Sequence, residues 1–179
     1  MNRQMKNLYR KTGDQIKKQM YHWFGDYHSR PINEFTGIDL FTLFERMPFQ
    51  LQTEFAEKIK FRDDELPVFV LKMSGFIFII NTTCRFVKLT NDIVEYINYT
   101  EFDWHIGYKS IAAKSDRGIS VSVKTDGQIA EFGLRKINGE IVFWEIPTGK
   151  AGFAFWNVTK KCELIGRKYL DNHDSNNIG

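Results

Sequence analysis

Two dipeptides twelve residues apart, Asp126-Gly127 and Asn138-Gly139, restrict this 179-residue chain more than any other feature. Both favour two-residue hairpin turns, because Gly and Asn tolerate the positive φ that such turns demand. "ISVSVKT" precedes the first and alternates in polarity, "QIAEFGL" lies between them, and "EIVFWEI" follows the second. A three-stranded antiparallel meander is therefore expected, and the turns set its register. Thr125 opposite Gln128 brings Val123 to Ala130, Val121 to Phe132 and Ile119 to Leu134 on one face. The second turn sets Leu134 opposite Phe143 and Gly133 opposite Trp144. Val142, Trp144 and Ile146 then fall on the other face, so this strand needs cover on both sides. These three residues are the candidate ligand or partner surface if the cover is incomplete.

Upstream, the chain changes character near Pro67. Before it, Met5, Tyr9, Ile16, Met20 and Trp23 recur at helical spacing, with Asp14 placed to cap a helix start after Gly13. A second helical region opens after "TGID" with Leu40, Phe41, Phe44 and Met47; it is split by Pro48 and resumes with Leu51, Phe55 and Ile59. After Pro67 strands are expected at 68–72, 76–81, 84–89 and 104–113. Phe155, Val158, Cys162, Ile165 and Tyr169 then form an amphipathic stripe, so a helix closes the order. With 42% hydrophobic and 15% aromatic residues, the chain can bury one substantial core. The tail 171–179 has no apolar residue before Ile178 and is expected to be disordered.

The residues of the first strand pairs carry a resemblance. "FIFIINTTCRFVKL" resembles the strand-turn-strand of bacterial pleckstrin-homology-like domains, in which an apolar strand enters a Thr-x-x-Arg turn; Thr82 and Arg85 match it. "INYTEF" at 97–102 looks like the Ile-Pro-Tyr-x-x-Ile segment of that family, with Asn98 for Pro and Phe102 for the last Ile. The resemblance covers about residues 67–170 and leaves 1–66 as a helical extension. It implies an α+β fold: a strongly bent antiparallel sheet or barrel of about seven strands, closed by the C-terminal helix, with the N-terminal helices packed on it. It implies no shared catalytic centre. Some eukaryotic relatives hold phosphoinositides on basic residues at the first strand-strand loop; here that loop is "KMSGF" and offers only Lys72.

Three classes of function follow. The leading one is a non-enzymatic intracellular binding module for a protein or peptide, or for a second copy, with no cofactor. The second is a small-molecule-binding or enzymatic cone, in which the aromatic residues line a pocket near Glu101, Asp103 and His105, alternating in "EFDWH". The third is a nucleic-acid or anionic-surface binder. Residues 1–20 carry Arg3, Lys6, Arg10, Lys11, Lys17 and Lys18 against Asp14 alone, and on a helix much of this charge shares one side. Other motifs resolve to local structure. "HWFGDYH" sets His22, Asp26 and His28 near one another without a fourth ligand, and Gly25 is expected to end the helix there. Gly149-Lys150 lacks the P-loop pattern: the first Gly would fall at Trp144 and the hydroxyl at Ala151, so "PTGK" reads as a turn. Cys84 and Cys162 lack metal spacing and read as buried thiols. No apolar run follows the early lysines, and no stretch of about 18 apolar residues occurs, so a cytoplasmic protein without a transmembrane segment is expected.

Overall fold

The computed structural model describes residues 10–29, 31–34, 40–73, 75–109 and 128–170. Strand 119–125 and the Asp126-Gly127 turn lie outside the described residues, as do Arg3, Met5, Lys6, Tyr9 and the tail 171–179. The described chain is α+β, with three α-helices and two antiparallel sheets. A five-stranded sheet has the order β1 (Phe41–Leu43), β2 (Pro67–Lys72), β3 (Phe78–Thr82), β4 (Arg85–Leu89) and β5 (Val94–Asn98). A three-stranded sheet follows, of β6 (Phe102–Tyr108), β7 (Ile129–Lys136) and β8 (Ile141–Pro147). No closed barrel forms among the described residues, because the strands divide between two separate sheets.

Helix α1, Gly13–His28, starts at Thr12 rather than Asp14. The Thr12 side chain accepts from the Gln15 N–H while Gln15 returns a bond to the Thr12 N–H, a reciprocal cap that satisfies two orphan donors. The helix runs through Gly25 and stops at Ser29, which takes the left-handed conformation. Arg10 and Lys11 thus precede the helix, and the expected basic helix face does not extend to them. Lys11 instead ties the chain to its far end: its N–H donates to the Tyr169 carbonyl, and its ammonium lies over the Tyr169 ring.

Leu40 to Met47 does not form the expected helix. Phe41 and Leu43 are buried on either side of half-buried Thr42, a period of two, and β1 adds to the free edge of β2. Met47 precedes Pro48, whose ring disfavours helical geometry there, and its ψ is 152°. Helix α2, Phe49–Ile59, follows directly.

The five-stranded sheet is covered on both faces. Phe55 and Ile59 of α2, with Phe44, pack against Val70, Phe78, Ile80, Val87 and Leu89. On the opposite face Ile16, Met20 and Phe24 of α1 join Phe69, Phe86, Ile97 and the second sheet's Phe132, Leu134, Trp144 and Ile146. Helix α3, Lys150–Tyr169, completes that layer with every residue of its expected stripe: Phe155, Val158, Cys162, Ile165 and Tyr169 are buried. Gly166 lets α3 approach closely, since a Cβ there would stand 1.8 Å from the Tyr99 carbonyl oxygen. Among the described residues no helix is long and apolar enough to cross a membrane.

The second hairpin corrects the expected register. Gly139 N–H donates to the Lys136 carbonyl and Lys136 N–H to that of Glu140, and Gly139 has φ +89°. The turn therefore runs Lys136-Ile137-Asn138 and ends in a glycine bulge, one residue longer than a two-residue turn. Leu134 pairs with Val142, Gly133 with Phe143 and Phe132 with Trp144. A shift of one residue exchanges the two faces, so Trp144 and Ile146 enter the core while Phe143 and Ile141 turn outward.

Candidate functional site

The candidate surface around Trp144, Val142 and Ile146 is thus an inner face. Trp144 is 1% exposed, and its indole N–H donates to Glu95 Oε2 at 3.0 Å, linking the second sheet to β5; Ile146 is buried and Val142 half-buried. The uncovered apolar surface belongs to their neighbours on the outer side. Trp104 and Ile141 are each 42% exposed and Phe143 36%, with Ile106 half-buried between strands. Gly133 faces Phe143, whose ring would lie 3.0 Å from a Cβ at that position. Two ion pairs share this face: Arg135, which stands on the central strand between Trp104 and Ile141, with Asp103 at 2.7 Å, and Lys109 with Glu131 at 2.8 Å. The Lys109 ammonium also lies 4.9 Å from the Phe143 ring centre.

Glu101, Asp103 and His105 do not share a face. A register shift between Phe102 and Trp104 breaks the alternation, so Asp103 turns outward to Arg135 while His105 pairs with Leu134 and faces α3. His105 is buried among Phe132 and Trp156, with Nδ1 unpartnered. Burial, and then the nearby Lys160 charge, hold its pKa down at about 4. Glu101 is exposed in the turn before β6. Neither the depression between α1 and α3 nor the one beside Tyr21 and His22 is lined by these residues.

The pattern residues Thr82 and Arg85 build a buried polar corner. Thr82 Oγ1 accepts from the N–H groups of Cys84 and Arg85 and donates to the Arg85 carbonyl, closing the β3–β4 turn. Tyr99 donates its hydroxyl to the Thr82 carbonyl at 2.8 Å. Arg85 Nε meets Glu65 Oε1 at 2.7 Å, with both side chains almost wholly buried. Burial pushes the Glu65 carboxyl up, but the Arg85 contact outweighs it and the pKa lies below the usual range. Glu65 was not legible as a partner, because only the folded chain brings it to Arg85. Burial, and then the Glu65 charge, push the Cys84 thiol up to about 12, and burial raises that of Cys162 further, so neither offers a reactive thiolate near neutral pH.

The basic residues disperse. Lys17 pairs with Glu45 at 3.2 Å, Lys11 bonds Gln19, and Lys18 is exposed on α1. His22 and Asp26 form an exposed pair at 3.3 Å, whereas His28 packs on Phe24. Among the described residues no three of His, Cys, Asp and Glu gather as metal ligands.

A cavity of about 220 Å³ opens between α1 and α3, and nothing in the spacing announced it. Helix α1 supplies Met20, Trp23, Phe24 and Tyr27, and Phe69 of β2 forms the floor. Helix α3 contributes Val158, and Asn157, Lys160 and Lys161 at the mouth.

A scan against protein-family models found no match, and searches of curated proteins and of solved structures found none either.

Proposed function

We propose that the protein is a non-enzymatic binding module that recognises a protein surface, a second copy of itself included, through the outer face of β6–β8. The observation that carries this reading is the exposed set Trp104, Ile141 and Phe143, which lies on one sheet face together with two ion pairs. Such mixing is ordinary in a recognition surface, which as a whole is about as apolar as the rest of a protein's exterior. The face holds both signs, so a copy related by a two-fold axis can exchange ion-pair partners across it. Three strands about 4.8 Å apart and seven residues long give a face of about 300 Å². With its charged residues included, that face is no larger than the biggest patch on many lone chains and is well short of the roughly 800 Å² per partner in stable complexes, so association is weak unless other surfaces join it. A bacterial pleckstrin-homology-like fold is part of the proposal. In support of it, Thr82, Arg85 and Tyr99 share one turn network, and Phe102 packs on Phe86 beside it.

Sedimentation across a wide concentration range, on wild type and on Phe143→Lys, tests the reading, with affinity capture from a lysate on the same two proteins. Concentration-dependent association, or a captured protein, that is lost in the variant is expected. A strictly monomeric profile together with identical captured sets would sink it.

A further inference from the structure

We infer that the groove between α1 and α3 is a second binding site, independent of the outer sheet face, and that it takes an acidic peptide segment with one bulky apolar side chain as anchor. Size comes first. At about 220 Å³ the cavity exceeds the roughly 150 Å³ that admits a benzene ring, but falls below the about 300 Å³ at which pockets for drug-sized molecules begin. One Phe- or Leu-sized group fits, and the rest of its ligand must lie outside, across the mouth. Inside, the contact is apolar: Met20, Phe24, Phe69 and Val158 are buried beneath it.

Charge at the mouth then selects the ligand. Lys160 and Lys161 stand there on successive residues, both exposed, and among the described residues no carboxylate lines the cavity. Neither ammonium pairs with a carboxylate among the described residues; Lys161 lies 5.2 Å from the ring centre of Trp23, which bridges α3 to α1 at the rim. An anion is the natural complement, and two lysines side by side suit acidic residues flanking the anchor. Asn157 distinguishes a peptide from a free amphiphile. It is half-buried at the same mouth with no side-chain hydrogen bond among the described residues, and its amide offers the donor and acceptor that a peptide group needs.

The test uses the full chain and fluorescent-labelled peptides. One carries a central Phe flanked by Glu residues; in the second Phe is replaced by Ala, and in the third Glu is replaced by Lys. The acidic Phe peptide is expected to bind; replacing Phe by Ala should weaken binding by about tenfold or more, because the anchor no longer fills the apolar cavity, and replacing Glu by Lys should weaken it by about threefold or more, because two exposed charge contacts turn repulsive. The double variant Lys160→Glu, Lys161→Glu changes only exposed groups and should fold normally by circular dichroism; it is expected to reverse the charge preference and favour the Lys-flanked peptide. Three outcomes overturn the proposal. The first is no binding of the acidic Phe peptide at millimolar concentration. The second is equal binding of its Ala version, which leaves a charged surface and no anchor pocket. The third is phenylacetate binding as tightly as the peptide, which makes this a small-anion site. Phe143→Lys, which disables the outer face, should leave every one of these affinities unchanged.

Discussion

Arg85 is the residue on which the corner between β3, β4 and the Glu65 segment depends. Removing it leaves the buried Glu65 carboxylate without a counter-charge, although the Arg62 N–H still donates to it, so Arg85→Met is expected to lower stability by about 3–5 kcal/mol, read from the urea midpoint. Replacing both partners, Glu65→Leu with Arg85→Met, should recover most of that loss; no recovery would mean that the pair does more than neutralise itself. The same corner responds to acid. Glu65 has a lowered pKa in the fold, so its contribution is present above the ordinary carboxylate range and disappears as pH falls through the folded value. His105 acts over a higher window. Its folded pKa is about 4 against 6.5 unfolded, so the unfolded chain takes up the proton first, and stability falls from pH 6.5 down to about 4. His105→Phe should flatten the stability curve between those limits while leaving the steeper loss below them. At this scale the sequence was half legible. Thr82 and Arg85 stand three apart and announce their turn, whereas Glu65 lies twenty residues away from Arg85 and His105 is turned inward by a bulge that no residue type marks.

Among the elements, the β7–β8 hairpin shows how one residue redirects a surface. Asn138-Gly139 serves equally as the centre of a two-residue turn or as the end of a three-residue turn with a glycine bulge, and the two differ by one step of register. The existence of the hairpin was therefore readable while its inner face was not. Likewise, Phe41 and Phe44 are three apart, as on a helix, but Phe41 and Leu43 are two apart, as on a strand; the open edge of β2 decided between them. Helix α3 was readable along its stripe from Phe155 to Tyr169, with Gly166 the one interruption, because the spacing is long and regular, whereas its first turn from Lys150 lies outside that stripe. Its close contact with the Tyr99 segment gives a sharp expectation. Gly166→Ala brings a methyl within 1.8 Å of a backbone oxygen, so the helix must shift, and a loss of at least about 1–3 kcal/mol is expected by thermal unfolding. An unchanged melting temperature would show that α3 sits farther from Tyr99.

Across the whole molecule, the five-stranded sheet divides two apolar clusters that have no buried residue in common. Ile80 lies in the α2-side cluster and Ile97 in the one shared with α1, α3 and the second sheet. Ile80→Val and Ile97→Val should each cost about 0.5–1.5 kcal/mol. Their effects should add to within about 0.5 kcal/mol in the double variant, and a larger discrepancy in the denaturation curves would mean that the sheet passes strain between its faces. The bond from the Lys11 N–H to the Tyr169 carbonyl has a different kind of consequence. It brings the start of α1 beside the end of α3, so the path of the described backbone nearly closes on itself. Strand pairing and burial then have no inherent first element. A short covalent bridge at that seam, with the backbone opened instead at the exposed Asn138-Gly139 turn, would preserve every pairing and relocate both ends to a hairpin tip.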